Sequence, residues 1–95
     1  MYAVVRRYPQ MNVAEAVARA EGDFADLMRE TPGFAGYFVV DGGGGVALSV
    51  SLFDSPAAGA AGGARALAWV REHLTDVYEG EPQVTAGPVV LDVKP

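Results

Sequence analysis

The sequence contains no cysteine. That absence removes thiolate catalysis, disulfide stapling, cysteine-based zinc sites and iron–sulfur clusters together. It also suits a reducing compartment. Histidine occurs once, at His73, so a metal site built from several histidines is excluded. Positive charge is scarce as well: seven basic residues stand against twelve acidic ones, for a net charge of −5. The basic residues are scattered from Arg6 to Lys94 and form neither an electrostatic footprint for nucleic acid nor a polybasic patch for anionic lipid. No apolar run approaches the ~18 residues that a membrane span needs. The opening MYAVVRRYPQ places its charges after its apolar stretch, the reverse of a secretory signal peptide. The expectation is a cytoplasmic protein with no metal, no bound cofactor, and neither nucleic acid nor membrane as a partner.

What is present fits a single domain over residues 1–95. A chain of this size buries only roughly 60–65% of the surface its unfolded form exposes. Its core is thin, and with disulfides excluded, self-association is the remaining support.

Residues 2–8 (YAVVRRY) are rich in aromatic and β-branched side chains and predict a strand, which Pro9 ends because it offers no amide to a ladder. Asn12 is placed as an N-cap, with Glu15 in the position of a capping box. From Val13 to Met28 apolar residues recur at steps of three and four, which predicts one amphipathic helix of about 17 residues with Gly22 inside it. Thr31-Pro32-Gly33 stops that helix. Residues 36–40 predict a second strand, residues 41–45 (DGGGG) a turn and residues 46–53 a third strand. A phosphate-cradling role for the four glycines finds no support, since neither a helix nor a Lys-Ser or Lys-Thr pair follows them.

Alternation in the third strand is clean. Val46, Leu48, Val50 and Leu52 point one way and are the expected core face; Ala47, Ser49, Ser51 and Phe53 point the other, toward a cavity or a partner. Ser55-Pro56 predicts a second helix start, interrupted by glycines and firm from 65 to 77. Residues 84–93 predict a last strand, with Gly87-Pro88 marking an edge or a bulge. The fold class is therefore α+β: a ferredoxin-like βαββαβ chain, its four-stranded antiparallel sheet covered by two helices on one face. The other sheet face is left open, and a second copy of the chain is its simplest cover.

The residues Pro32-Gly33-Phe34-Ala35-Gly36-Tyr37, Ser49-Val50-Ser51-Leu52-Phe53-Asp54, Ala68-Trp69-Val70 and Gly87-Pro88-Val89-Val90 resemble the dimeric α/β-barrel superfamily, and within it the antibiotic-biosynthesis-monooxygenase-like group. The resemblance spans nearly the whole chain. It implies a homodimer whose two sheets pack face to face. Some members of the group are cofactor-free oxygenases acting on polycyclic aromatic molecules, and others degrade haem. Trp69 matches the tryptophan that such activities use.

The candidate residues each carry two readings. His73 titrates near neutral pH and suits an acid/base contact at a cavity mouth; the plainer reading is a solvent-facing residue in a last helical turn. Trp69 could stack on a planar ligand or wedge over the sheet. Arg6 and Arg7 are adjacent and so point to opposite faces; one of them could enter a cavity and bind a carboxylate or enolate, with Arg7 a candidate to polarise an oxygen. Tyr37, Phe38 and Phe53 could form an aromatic pocket or a core. Two functions remain open: a homodimer assembled through its open sheet face without catalysis, and a cofactor-independent monooxygenase-like enzyme or binder of an apolar or aromatic small molecule. The second would place Trp69, Tyr37 and Phe53 on the ligand and His73 or Arg7 on its oxygen.

Overall fold

Tyr2–Tyr8 (β1) is the strand its composition predicts, and it runs through the middle of the sheet. The computed structural model describes residues 1–95 in full. Beyond Pro9, Gln10–Met11 (β2) forms a two-residue strand. Asn12 then caps α1, Val13–Ala20, its Oδ1 accepting from the Glu15 amide at 3.2 Å.

The single helix expected over 13–29 is two helices. α1 ends at Ala20, and Gly22, at φ −95° and ψ −96°, opens α2, Asp23–Arg29. Glycine has the weakest hold on helical geometry of any residue but proline, and here the chain breaks at it. The redirected α2 drives Phe24 and Met28 into the core.

Thr31 closes α2 by donating from its hydroxyl to the Leu27 carbonyl at 2.8 Å. Gly33 then turns the chain at φ +79°, where a Cβ would meet Asp54 Oδ1 at 2.5 Å and the Ala58 methyl at 2.6 Å. β3, Phe34–Gly43, is longer at both ends than the predicted 36–40, and the glycine turn joins it to β4, Val46–Phe53. Ser55 caps α3, Pro56–His73, its Oγ accepting from the Ala58 amide. A short β5, Tyr78–Glu79, pairs with β2, and β6, Gln83–Pro88, pairs with β1.

α3 differs from its prediction at both ends. Its glycine-rich opening turns are fully helical, because Gly59 and Gly62 face the sheet and let the helix settle onto the rings of Tyr2 and Phe53. It stops at His73 rather than Val77, and Leu74 and Val77 are buried from the loop that follows. The last strand stops at Pro88. Past it the Val89 amide makes the one backbone hydrogen bond, to the Met1 carbonyl at 2.9 Å, Lys94 pairs with Asp92, and Val90, Leu91 and Val93 lie exposed.

The sheet order is β3-β4-β1-β6, every pairing is antiparallel, and α1, α2 and α3 lie on one face. This is the expected ferredoxin-like arrangement. No helix is long and apolar enough to cross a membrane.

The two faces of β4 are the reverse of the sequence expectation. Ala47, Ser49, Ser51 and Phe53 are buried beneath the helices, while Val46, Leu48, Val50 and Leu52 lie on the open side. Register explains the reversal. Directly paired residues share a face, and β4 pairs Ala47 with Tyr8, Ser49 with Arg6 and Ser51 with Val4. Tyr8, Arg6 and Val4 are all interior, so the small residues of β4 are interior too. The open face is then apolar, carrying Val5, Leu48, Val50 and Leu52, with Phe38 (58% exposed) and Val40 toward the β3 edge.

Candidate functional site

The break at Gly22 shapes a cleft. α1 and α2 diverge from β3, leaving an opening of about 500 Å³ walled by Val17, Ala20, Phe24, Met28, Phe34 and Tyr37. A smaller chamber of about 40 Å³ lies behind it, against Tyr8, Ala47, Ser49 and Leu74. Val17, Ala20, Tyr37 and Val39 line both, so the chamber adjoins the cleft.

The walls are largely apolar; Glu21 and Arg29 stand at the cleft itself, and Tyr8, Tyr37 and Ser49 bring hydroxyls to the chamber. Tyr37 stands on β3 opposite Ser51; its ring meets Phe24 edge-on at 4.9 Å. Burial raises the Tyr37 pKa above the usual phenol value, opposed by the neighbouring Ser49 hydroxyl and the Arg6 charge. Tyr8 is pushed up to about 12, chiefly by burial, with Arg6 acting against the rise. Both phenols therefore keep their protons at neutral pH and present hydroxyls rather than negative charge.

Arg6 is the third member of this group. Only 4% of it is exposed. Its Nη2 donates to the Gly63 carbonyl of α3 at 2.8 Å, while its Nε has no partner. None of the ion pairs in the molecule includes it. Ser51 Oγ, fully buried on the neighbouring strand, is also unpartnered. An arginine at an interior position of the first strand is visible in the sequence. Which of Arg6 and Arg7 takes that position follows from parity once Val4 and Tyr8 are known to be interior.

Arg7 is on the other side of the sheet, exposed on the open face beside Leu48 and Gln83. Phe53, at 0% exposure, is sealed under Gly62 and lines neither the cleft nor the open face. Trp69 packs between the two halves of the core, its ring 5.0 Å from Phe24 and 4.6 Å from His73. It backs the Phe24 wall without lining the cleft. His73 is partly exposed at the end of α3, with Nε2 3.9 Å from Glu72 Oε2. Of the candidate ligand and catalytic residues, Tyr37 alone lines the cleft, and Trp69 reaches it through Phe24; Ala47 and Ser49, from the face expected toward a cavity or a partner, line the chamber.

Arg19 fixes the α1 wall. It donates to both carboxylate oxygens of Asp76, at 2.7 and 2.9 Å, to Glu15, and to the His73 carbonyl at the end of α3. α1 is thereby tied to the α3 terminus; at the end of α2, Arg65 of α3 donates to the Thr31 hydroxyl at 3.5 Å.

By sequence the chain matches no protein-family model and no curated protein. Its fold has clear counterparts among solved structures. The ActVA-Orf6 monooxygenase of Streptomyces coelicolor, in complex with Nanaomycin D, is 20% identical with a TM-score of 0.78, over 99% of this chain and 91% of that one. NE2512 of Nitrosomonas europaea, a protein of unknown function, is 14% identical with a TM-score of 0.77, over 99% and 93%. The haem degrader MhuD of Mycobacterium tuberculosis, with two haems in its active site, is 23% identical with a TM-score of 0.59, over 97% and 99%. These neighbours are proteins of the antibiotic-biosynthesis-monooxygenase-like fold, and this chain shares that fold.

Proposed function

On the fold it shares with these proteins, we propose that the chain is a single-domain cytoplasmic protein that forms a homodimer through its open sheet face and binds a planar, largely apolar small molecule between helices and sheet. The observation that carries the reading is the cleft. Its volume of about 500 Å³, its aromatic walls at Phe24, Phe34 and Tyr37 and its few convergent polar groups fit the general character of small-molecule sites. The ligands of the structural neighbours, Nanaomycin D and haem, support a planar polycyclic class. The enzymatic form of the proposal is a cofactor-independent oxygenase. In it the Tyr37 hydroxyl meets an oxygen of the ligand, and Phe24, backed by Trp69, packs on its rings. His73 and Arg7 lie too far out for that role.

The dimer has its own support. Leu48, Val50, Leu52, Val5 and Phe38 form an apolar surface that a monomer leaves in water.

Trp69 is the single tryptophan and stands against the cleft wall, so its fluorescence is the natural reporter. Titration with anthrone should quench it saturably in the wild type and not in Ala20→Phe, which fills the cleft. Quenching that never saturates, or that survives the substitution, sinks the binding reading. Oxygen uptake with a panel of anthrones and quinols separates enzyme from binder.

A further inference from the structure

An arginine buried without a counter-ion is costly, because the interior replaces neither its hydration nor its missing negative partner. Arg6 is such a residue. It lies on the central strand, between the Ser49 of β4 and Val84 of β6 in register, and one hydrogen bond to Gly63 is all that holds its guanidinium. Its buried Nε is left as an unused donor. No carboxylate is paired with it, and the two phenols that feel its charge, Tyr8 and Tyr37, remain neutral.

The position of this charge is informative. Tyr8, Tyr37 and Ser49 line the inner chamber, and Arg6 is the cross-strand partner of Ser49 and two residues from Tyr8 on the same face. Arg6 itself lines neither space, so its positive field sits behind the wall of the chamber that adjoins the cleft, apart from the Glu21 and Arg29 charges at the cleft itself. A neutral hydrocarbon would use the walls and gain nothing from it. A molecule with an apolar ring system and one terminal oxyanion would use both.

We infer that the ligand of this cleft is an organic anion, its rings between Phe24 and Phe34 and its carboxylate, enolate or phenolate oxygen directed into the inner chamber toward Arg6, with the hydroxyls of Tyr37 and Ser49 donating alongside. This inference rests on the binding reading above and adds the ligand's charge to it. A charge-assisted hydrogen bond in a desolvated site is stronger than a neutral one, so the anion should be favoured by about tenfold or more over a neutral analogue of the same shape. The arrangement also suits a reaction in which negative charge develops on that oxygen, since a fixed cation stabilises the charged species without reorganising.

The test compares naphthoate with its methyl ester, followed by Trp69 fluorescence and by the Arg6 side-chain Nε–H resonance. The wild type should bind the acid at least about tenfold more tightly than the ester. The acid alone should shift the Arg6 Nε–H signal. Arg6→Met should reduce acid affinity to that of the ester and leave the ester unchanged. Equal affinities in the wild type, an unmoved Arg6 resonance, or a preference that survives Arg6→Met would each overturn the inference while leaving the cleft as a binding site. Failure of both acid and ester to bind overturns it together with the binding reading. The two wild-type measurements do not depend on whether the variant folds.

Discussion

A Cβ placed on Gly62 would stand 2.2 Å from the Phe53 ring, closer than any real carbon contact. The relationship sets how near α3 can lie to the sheet. Alanine gains about 1 kcal/mol over glycine in a helix interior. Here the gain is outweighed, because the opposing atom belongs to a ring that is fully buried and cannot swing aside. Gly62→Ala should therefore destabilise the protein by about 1–3 kcal/mol, the range for overpacking a core. Chemical denaturation checks it; a stabilised variant would mean that α3 has room to lift.

The two sides of β4 should respond oppositely to charge. Val50→Asp lies on the open face. If the proposed dimer forms through this face, the variant should be a folded chain of half the wild-type mass, as read by light scattering with circular dichroism. Phe53→Asp puts a carboxylate into the sealed core and should prevent folding altogether. A Val50→Asp protein that keeps the wild-type mass removes the open face as the seam.

The Arg19–Asp76 pair should leave an acid signature. Arg19 holds the Asp76 carboxyl below the usual carboxylate value, chiefly by hydrogen bonding. A group whose pKa is lowered on folding adds stability above its unfolded pKa and loses it as pH falls toward the folded one. Asp76→Asn should be less stable than the wild type at neutral pH. The gap should narrow as the pH drops through the carboxylate range, in urea titrations run at several pH values. Both groups are exposed, so the effect is modest.

At high pH Tyr8 works in the opposite direction. Its pKa is pushed up to about 12 from an ordinary 10.0. The unfolded chain ionises first, so the contribution is intact below about pH 10 and fades between there and about pH 12. Spectrophotometric titration should show two tyrosines, Tyr8 and Tyr37, whose ionisation is delayed, and Tyr8→Phe should remove one of the two.

Much of the fold was legible from local chemistry. Asn12 and Ser55 cap the helices as their side chains suggest, the glycine turn falls between the two strands it separates, and the element order follows. The faces of β4 were not legible in that way. Size alone assigns the large aliphatics to the core and the small residues to a cavity or partner face, but this sheet leaves its bulky side uncovered and packs its small side under a helix that approaches on glycines. Periodicity gives the alternation and not its sense. Register with β1 supplies the sense, and pairing partners are long-range information. The same gap hid Arg6: parity separated it from Arg7, but only the buried neighbours Val4 and Tyr8 decided which one turns inward. The break at Gly22, on which the cleft depends, was masked by an apolar repeat that continues across it.

One eight-residue strand thus carries two independent messages. Even-numbered residues of β4 face the open side, with Leu48 also bordering the chamber, and odd-numbered ones meet the helices and the chamber. Drift at position 50 or 52 can therefore remodel association while the chamber is unchanged, and drift at 47 or 49 can resize the chamber while association is unchanged. A library randomised at alternate codons of this strand would sample the two traits separately, an evolvability that follows from strand parity alone.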